Sequence, residues 1–153
     1  MVKLLLALII ILISACNTDI PVSPKETAFK LLALHDLLGK KPGQRSKNAK
    51  NNEVDRDKLQ LFFVDLDKYD KFTGDIYVGI VVGALAQKQR ELKEQISGDS
   101  AKIRAGAGII YLKKHDGRWK INLDKTIPVK MKKNARLEKE RYDAAKEAGK
   151  ALL

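Results

Sequence analysis

The feature that most constrains this chain is a period of two that runs up to Asp116-Gly117 and away from it again. Ala101 to Lys114 alternates on one side, and Arg118-Trp119-Lys120-Ile121-Asn122-Leu123 alternates on the other. Such alternation marks strands with one buried face. Asp-Gly suits the two positive-φ positions of a type I′ hairpin turn. Counting outward from that turn pairs Lys114 with Trp119, Leu112 with Ile121 and Ile110 with Leu123, which gathers large apolar residues on one face. A one-residue slip would turn all of them to water. Upstream, Leu92, Glu94 and Ile96 approach another turn at Ser97-Gly98-Asp99-Ser100. Gly106 and Gly108 interrupt the longer strand and are expected to bend or bulge it, giving a short sheet of three strands.

The first half reads as helices. Ser23-Pro24-Lys25-Glu26 combines a capping Ser, a proline at the first helical position and a Glu three residues after the cap. Ala28, Leu31, Leu34, His35 and Leu38 follow at helical spacing, so a helix over 24–38 is expected, closed by Gly39 in a left-handed conformation. Leu59, Phe62, Phe63, Leu66 and Tyr69 predict a second helix over about 56–72, with Asp55 as cap and Gly74 as stop. The apolar run from Ile76 to Ala86 must be buried on every side. Its Ile and Val content favours a strand and its position between capped segments favours a helix; the helix is preferred.

At the N-terminus, one positive charge at Lys3 precedes an unbroken apolar run from Leu4 to Ile13, which ends in Ile13-Ser14-Ala15-Cys16. Ten residues make a helix of about 15 Å, half of a roughly 30 Å hydrocarbon layer, which fits a signal core better than a span. The segment resembles a bacterial lipoprotein signal peptide. That resemblance implies cleavage between Ala15 and Cys16 and acylation of Cys16, the one cysteine in the chain. Two or more acyl chains give a stable anchor where one is marginal. With no second cysteine there is no internal disulfide, so the fold must rest on packing and backbone hydrogen bonds. The expected organisation is a signal peptide over 1–15, a polar tether over 16–22, an α+β domain over 23–128 and a basic helical tail over 129–153.

The stretch ISGDSAKIRAGAGIIYLKKHDGRWKINLDKTIP is similar to the closing strands of the nuclear transport factor 2-like, cystatin-related superfamily. The similarity implies N-terminal helices packed on a short curved antiparallel sheet, cone-shaped, to which the tail adds a C-terminal surface helix. Some members use an Asp or His inside the cone as isomerases or dehydratases. Here His35 lies on the apolar stripe of its helix, where a core histidine satisfied by a neighbour is the better reading, and His115 falls in a hairpin turn. Asp65, Asp67 and Asp70 depart from a calcium loop, since Tyr69 stands at the third ligand position; they read as a solvated helix face. Trp119 reads as core. No catalytic residue, cofactor or metal is expected.

Charge narrows the partners. Thirty Lys and Arg against nineteen Asp and Glu give +11, and removal of residues 1–15 leaves 138 residues at +10. The excess is plain in the loop 40–51, with Lys40, Lys41, Arg45, Lys47 and Lys50, and in the tail, with Lys130, Lys132, Lys133 and Arg136. These are the expected contacts to an anionic surface, weighed evenly against charges that merely solubilise. Nucleic acid is disfavoured, because its surfaces usually interleave aromatics with the cations. The chain therefore reads as a lipid-anchored protein of the bacterial cell envelope with a non-enzymatic binding domain at the membrane surface, its partner an anionic lipid or an envelope protein. By the lipoprotein resemblance, Asn17 in place of an inner-membrane-retaining Asp favours an outer membrane facing the periplasm. The alternatives are a cone that binds or transforms a small apolar ligand, and an accessory subunit of an envelope secretion or transfer machine.

Overall fold

A computed structural model describes residues 23–41 and 54–150. Helix α1, Pro24–Leu34, starts where expected: Ser23 Oγ accepts the Glu26 N–H at 3.1 Å and Pro24 opens the first turn. It ends four residues before the expected Leu38. Asp36, not Gly39, is the first left-handed residue, with φ 53°. The Asp36 N–H donates to Ala33 C=O and the Leu37 N–H to Leu32 C=O, the pair of bonds that closes a Schellman turn. Leu37 is thereby packed against the core while Leu38 stays exposed.

The expected helix over 56–72 is broken. Helix α2 covers only Arg56–Gln60, capped by Asp55 as anticipated. Beyond it the backbone joins the sheet edge: Ile121 N–H donates to Phe62 C=O at 2.7 Å and Val64 N–H to Ile121 C=O at 2.9 Å. A carbonyl and an amide committed to a strand cannot also serve an i→i−4 ladder. A 3₁₀ turn at Leu66–Lys68 follows, and Arg56 Nη2 holds the break by donating to the carbonyls of Leu66 and Tyr69. Helix α3, Lys71–Lys88, then begins on Asp70, whose carboxylate accepts the Thr73 N–H. The preference for helix over 76–86 holds. Gly74 lies inside this helix instead of stopping one; a Cβ there would stand 3.2 Å from Arg56 Nη1 and from Leu66 Cδ1.

Four strands form an open antiparallel sheet in the order β1 (Lys93–Ser97), β2 (Ser100–Ala105), β3 (Gly108–His115), β4 (Arg118–Ile121). Asp116 and Gly117 both have positive φ, and Lys114 pairs with Trp119 and Leu112 with Ile121, in the anticipated register. Two expectations fail. Gly106, at φ 63°, does not bulge one long strand but reverses the chain between β2 and β3, so the sheet gains a strand. Ile110 accordingly pairs with Ile103, while Leu123 leaves the sheet to open the short helix α4, Leu123–Thr126.

Helices α1 and α3 cover one face of the sheet. Leu31, Leu32, Val81, Leu85, Ile103, Leu112 and Ile121 fill the space between, each no more than 3% exposed. Helix α5, Val129–Lys150, lies on the surface as expected; it meets α3 through a stack of Tyr142 on Phe72 and buries Ala135. The fold is α+β, with the helices on one layer of an open antiparallel sheet.

Candidate functional site

The chemistry-bearing side chains named from the sequence do not converge. Ala15, Cys16, Arg45, Lys47 and Lys50 lie outside the described residues, as do residues 1–15 and 16–22, where a signal peptide and a tether are expected. His35 is half-buried, and its Nε2 is buried without a hydrogen-bond partner among the described residues, so the satisfying neighbour expected of a core histidine is missing at that nitrogen. Burial lowers its pKa below the usual imidazole value, which keeps the ring neutral. Trp119 is core as expected, 5% exposed, with its carbonyl taking the Thr27 hydroxyl at 3.2 Å. His115 is exposed beside Asp116.

Asp65 departs most from expectation. It is 2% exposed, and its two carboxylate oxygens accept the N–H groups of Leu123 and Asp124, each at 2.9 Å. This capping carboxylate pins the break after α2 to the start of α4. Tyr69 stacks edge-on against Tyr77 at 5.0 Å nearby, and burial followed by the charge of Asp65 pushes its phenol up to about 12. Among the described residues no group of three His, Cys, Asp or Glu is placed to hold a metal.

Of the cations named from the sequence, Lys40, Lys132 and Arg136 are paired with carboxylates. In α5, Arg136 faces Glu140, Lys139 pairs with Asp143 at 2.6 Å, Arg141 with Glu138 at 2.9 Å and Lys150 with Glu147 at 3.1 Å. Lys132 reaches back to Asp124, donating to its carbonyl at 2.7 Å and to its carboxylate. Only Lys130, Lys133 and Lys146 of this helix lack a carboxylate partner among the described residues. Lys40 pairs with Asp36. Lys40 and Lys41 border a surface hollow of about 420 Å³ together with Arg90 and Glu91. Gln89 ties that corner together, accepting the Gly39 N–H at 2.7 Å and donating to Lys40 C=O at 2.7 Å.

More uncompensated charge lies on the sheet face turned away from the helices. Residues that pair across strands share a face, so the register puts Lys93, Lys102, Arg104, Lys113, Arg118 and Lys120 together on it. No outward strand position is Asp or Glu, and none of these six has a carboxylate partner among the described residues. Lys93 stands directly opposite Arg104, and Lys113 directly opposite Lys120. Tyr111 sits among them with Lys102 Nζ 5.7 Å from its ring centre. A groove of about 380 Å³ crosses this face, walled by Lys102, Tyr111, Lys113 and Lys125 and edged by Ser97 and Ser100. A smaller hollow of about 120 Å³ continues it toward Lys93 and Arg104.

Sequence reading passed over this face because its members come one or two apiece from four strands, whereas the loop and the tail carry their charge in runs. The signal was the polar half of the same alternation that located the strands. No family model, curated protein or solved structure matches the chain.

Proposed function

We propose that the chain is a lipid-anchored cell-envelope protein, tethered through an acylated Cys16, whose α+β domain is a non-enzymatic binding module working at the membrane surface. The observation that carries this reading is the apolar run Leu4 to Ile13 ending in Ile13-Ser14-Ala15-Cys16, with one cysteine in the sequence and that one at the acylation position. No helix among the described residues is long and apolar enough to cross a membrane. An acyl anchor supplies attachment without a span.

A binding role is supported by where the charge lies. Six cations without a carboxylate partner on one face are oriented toward anionic partners, whether lipid headgroups or acidic envelope proteins. The nuclear transport factor 2-like plan belongs to the same reading, supported by α1 packing across β1, β2 and β4 of an antiparallel sheet.

Mass spectrometry of the mature N-terminus tests the anchor. A chain beginning at an acylated Cys16, and release of Cys16→Ala protein from membranes, are the expected results. A chain that keeps Met1, or Cys16→Ala protein still in the membrane fraction, would overturn it.

A further inference from the structure

We propose that the outward face of the sheet is the surface with which the domain lies on an anionic lipid bilayer, its groove receiving a phosphate-bearing headgroup. The charge run of α5 is not that surface. The choice of lipid rests on the anchored-envelope reading above; the face itself rests on the register.

Three observations converge on this face. First, none of its charge is paired with a carboxylate among the described residues: six cations occupy outward positions on four strands, a width of roughly 15 Å at the usual strand spacing, and Lys120 among them donates to Gln60 C=O at 3.2 Å. In helix α5, Arg136, Lys139, Arg141 and Lys150 are already engaged by the helix's own Glu and Asp residues and Lys132 by Asp124, which leaves three cations unpaired among the described residues, Lys130, Lys133 and Lys146. Second, Lys93–Arg104 and Lys113–Lys120 are like charges directly opposite each other, an arrangement that opposes folding. A sheet with such pairs gains most when an external anion lies across them. Third, the groove offers a phosphate what it needs, with the Lys102, Lys113 and Lys125 side chains and the Ser97 and Ser100 hydroxyls around one hollow. One aromatic, Tyr111, is too little for the successive base stacking by which single-stranded nucleic acid is held.

Chain length agrees with a bilayer as the occupant. Residues 16–22 are seven, and at most about 3.6 Å each they keep Ser23 within about 25 Å of the anchored residue. Over that range a domain can turn its cationic face onto the headgroups, where attraction falls off within a Debye length of about 8 Å.

The test takes the full chain as isolated from membranes and reconstitutes it into vesicles of phosphatidylcholine alone or phosphatidylcholine mixed with phosphatidylglycerol. Acetylation rates of individual lysines are then read by mass spectrometry. On anionic vesicles Lys93, Lys102 and Lys113 should be acetylated about five-fold more slowly, the factor that corresponds to about 1 kcal/mol per lysine near such a surface. Lys133 and Lys146 should keep the rates seen on neutral vesicles. In the Lys102→Gln, Lys113→Gln double variant, Lys93 should return to its neutral-vesicle rate. Flotation on neutral vesicles reads the anchor separately: protein that floats on both compositions without differential protection overturns the face and leaves the anchor standing. Protein protected on anionic vesicles but unable to float on neutral ones supports the face and overturns the anchor. Protection confined to Lys133 and Lys146 would move the contact to α5 and overturn the proposal. So would protection of Lys102 and Lys113 by a single-stranded oligonucleotide in detergent solution when phosphatidylglycerol vesicles give none.

Discussion

Asp65 shows how one side chain can decide a local fold. Its carboxylate holds the buried Leu123 N–H and the part-buried Asp124 N–H, so the Asp65→Ala protein should lose about 1–3 kcal/mol for the buried donor left unsatisfied. Urea unfolding at neutral pH measures this, and a change under 0.5 kcal/mol, the range of a plain surface substitution, would show that water replaces the carboxylate. His35 gives a second residue-scale expectation, this time in pH. Its folded-state pKa is lowered by burial, so the folded protein binds fewer protons than the unfolded chain as pH falls through the ordinary imidazole range near 6.5. The stability His35 contributes as a neutral ring is present above that range and is lost below it. A His35→Leu variant should therefore lose less stability than the parent between neutral and mildly acid pH. Parallel pH profiles for the two proteins would contradict the assignment.

At the scale of elements, the β3–β4 hairpin and β2 together carry the sheet's core contacts. Trp119 is buried against α1, so Trp119→Ala should cost about 3–5 kcal/mol, the usual range for truncating a large core aromatic. Chemical denaturation reads the loss, and near-parental stability would mean that the indole is not part of the core. The other strand face makes the opposite prediction. Lys113 opposes Lys120, so Lys113→Glu converts a repulsive cross-strand pair into an attractive one and should raise stability by about 0.2–1 kcal/mol. A loss of stability on this exposed substitution would show that Lys113 serves the fold rather than a partner. Elements also show where sequence patterns mislead. The helical spacing of Leu59, Phe62, Phe63, Leu66 and Tyr69 is real, but the backbone of Phe62 and Val64 is claimed by Ile121, and a ladder bond to a distant strand leaves no trace in local periodicity.

For the whole molecule, the balance of charge is uneven. Exposed pairs at i, i+3 and i, i+4 along α5 are worth little and are screened by salt, while the repulsion across the sheet face is screened too. Raising ionic strength should therefore leave thermal stability unchanged or slightly higher while it weakens binding to anionic vesicles. A marked fall in melting temperature with salt would mean that ion pairs, not the apolar layer between helices and sheet, hold the domain together.

The sequence by itself determined the features that are local in the chain. Ser23-Pro24 began α1, Asp55 began α2, the Asp116-Gly117 turn set the β3–β4 register, and the apolar run from Ile76 to Ala86 became helix, though buried on one side only, at Tyr77, Val78, Val81, Val82 and Leu85, and not on every side as its composition implied. Each rests on neighbours within a few residues, where capping geometry, turn conformation and periodicity are legible. Tertiary structure decided the rest. Whether Gly106 bends a strand or reverses it depends on Ile103 finding Ile110 across the turn; whether Asp65 is solvated depends on two amides nearly sixty residues away. The outward cationic face belongs to the same kind, since Lys93, Arg104, Lys113 and Lys120 become neighbours only when four strands pair, and a charge density set by strand pairing cannot be read from runs along the chain.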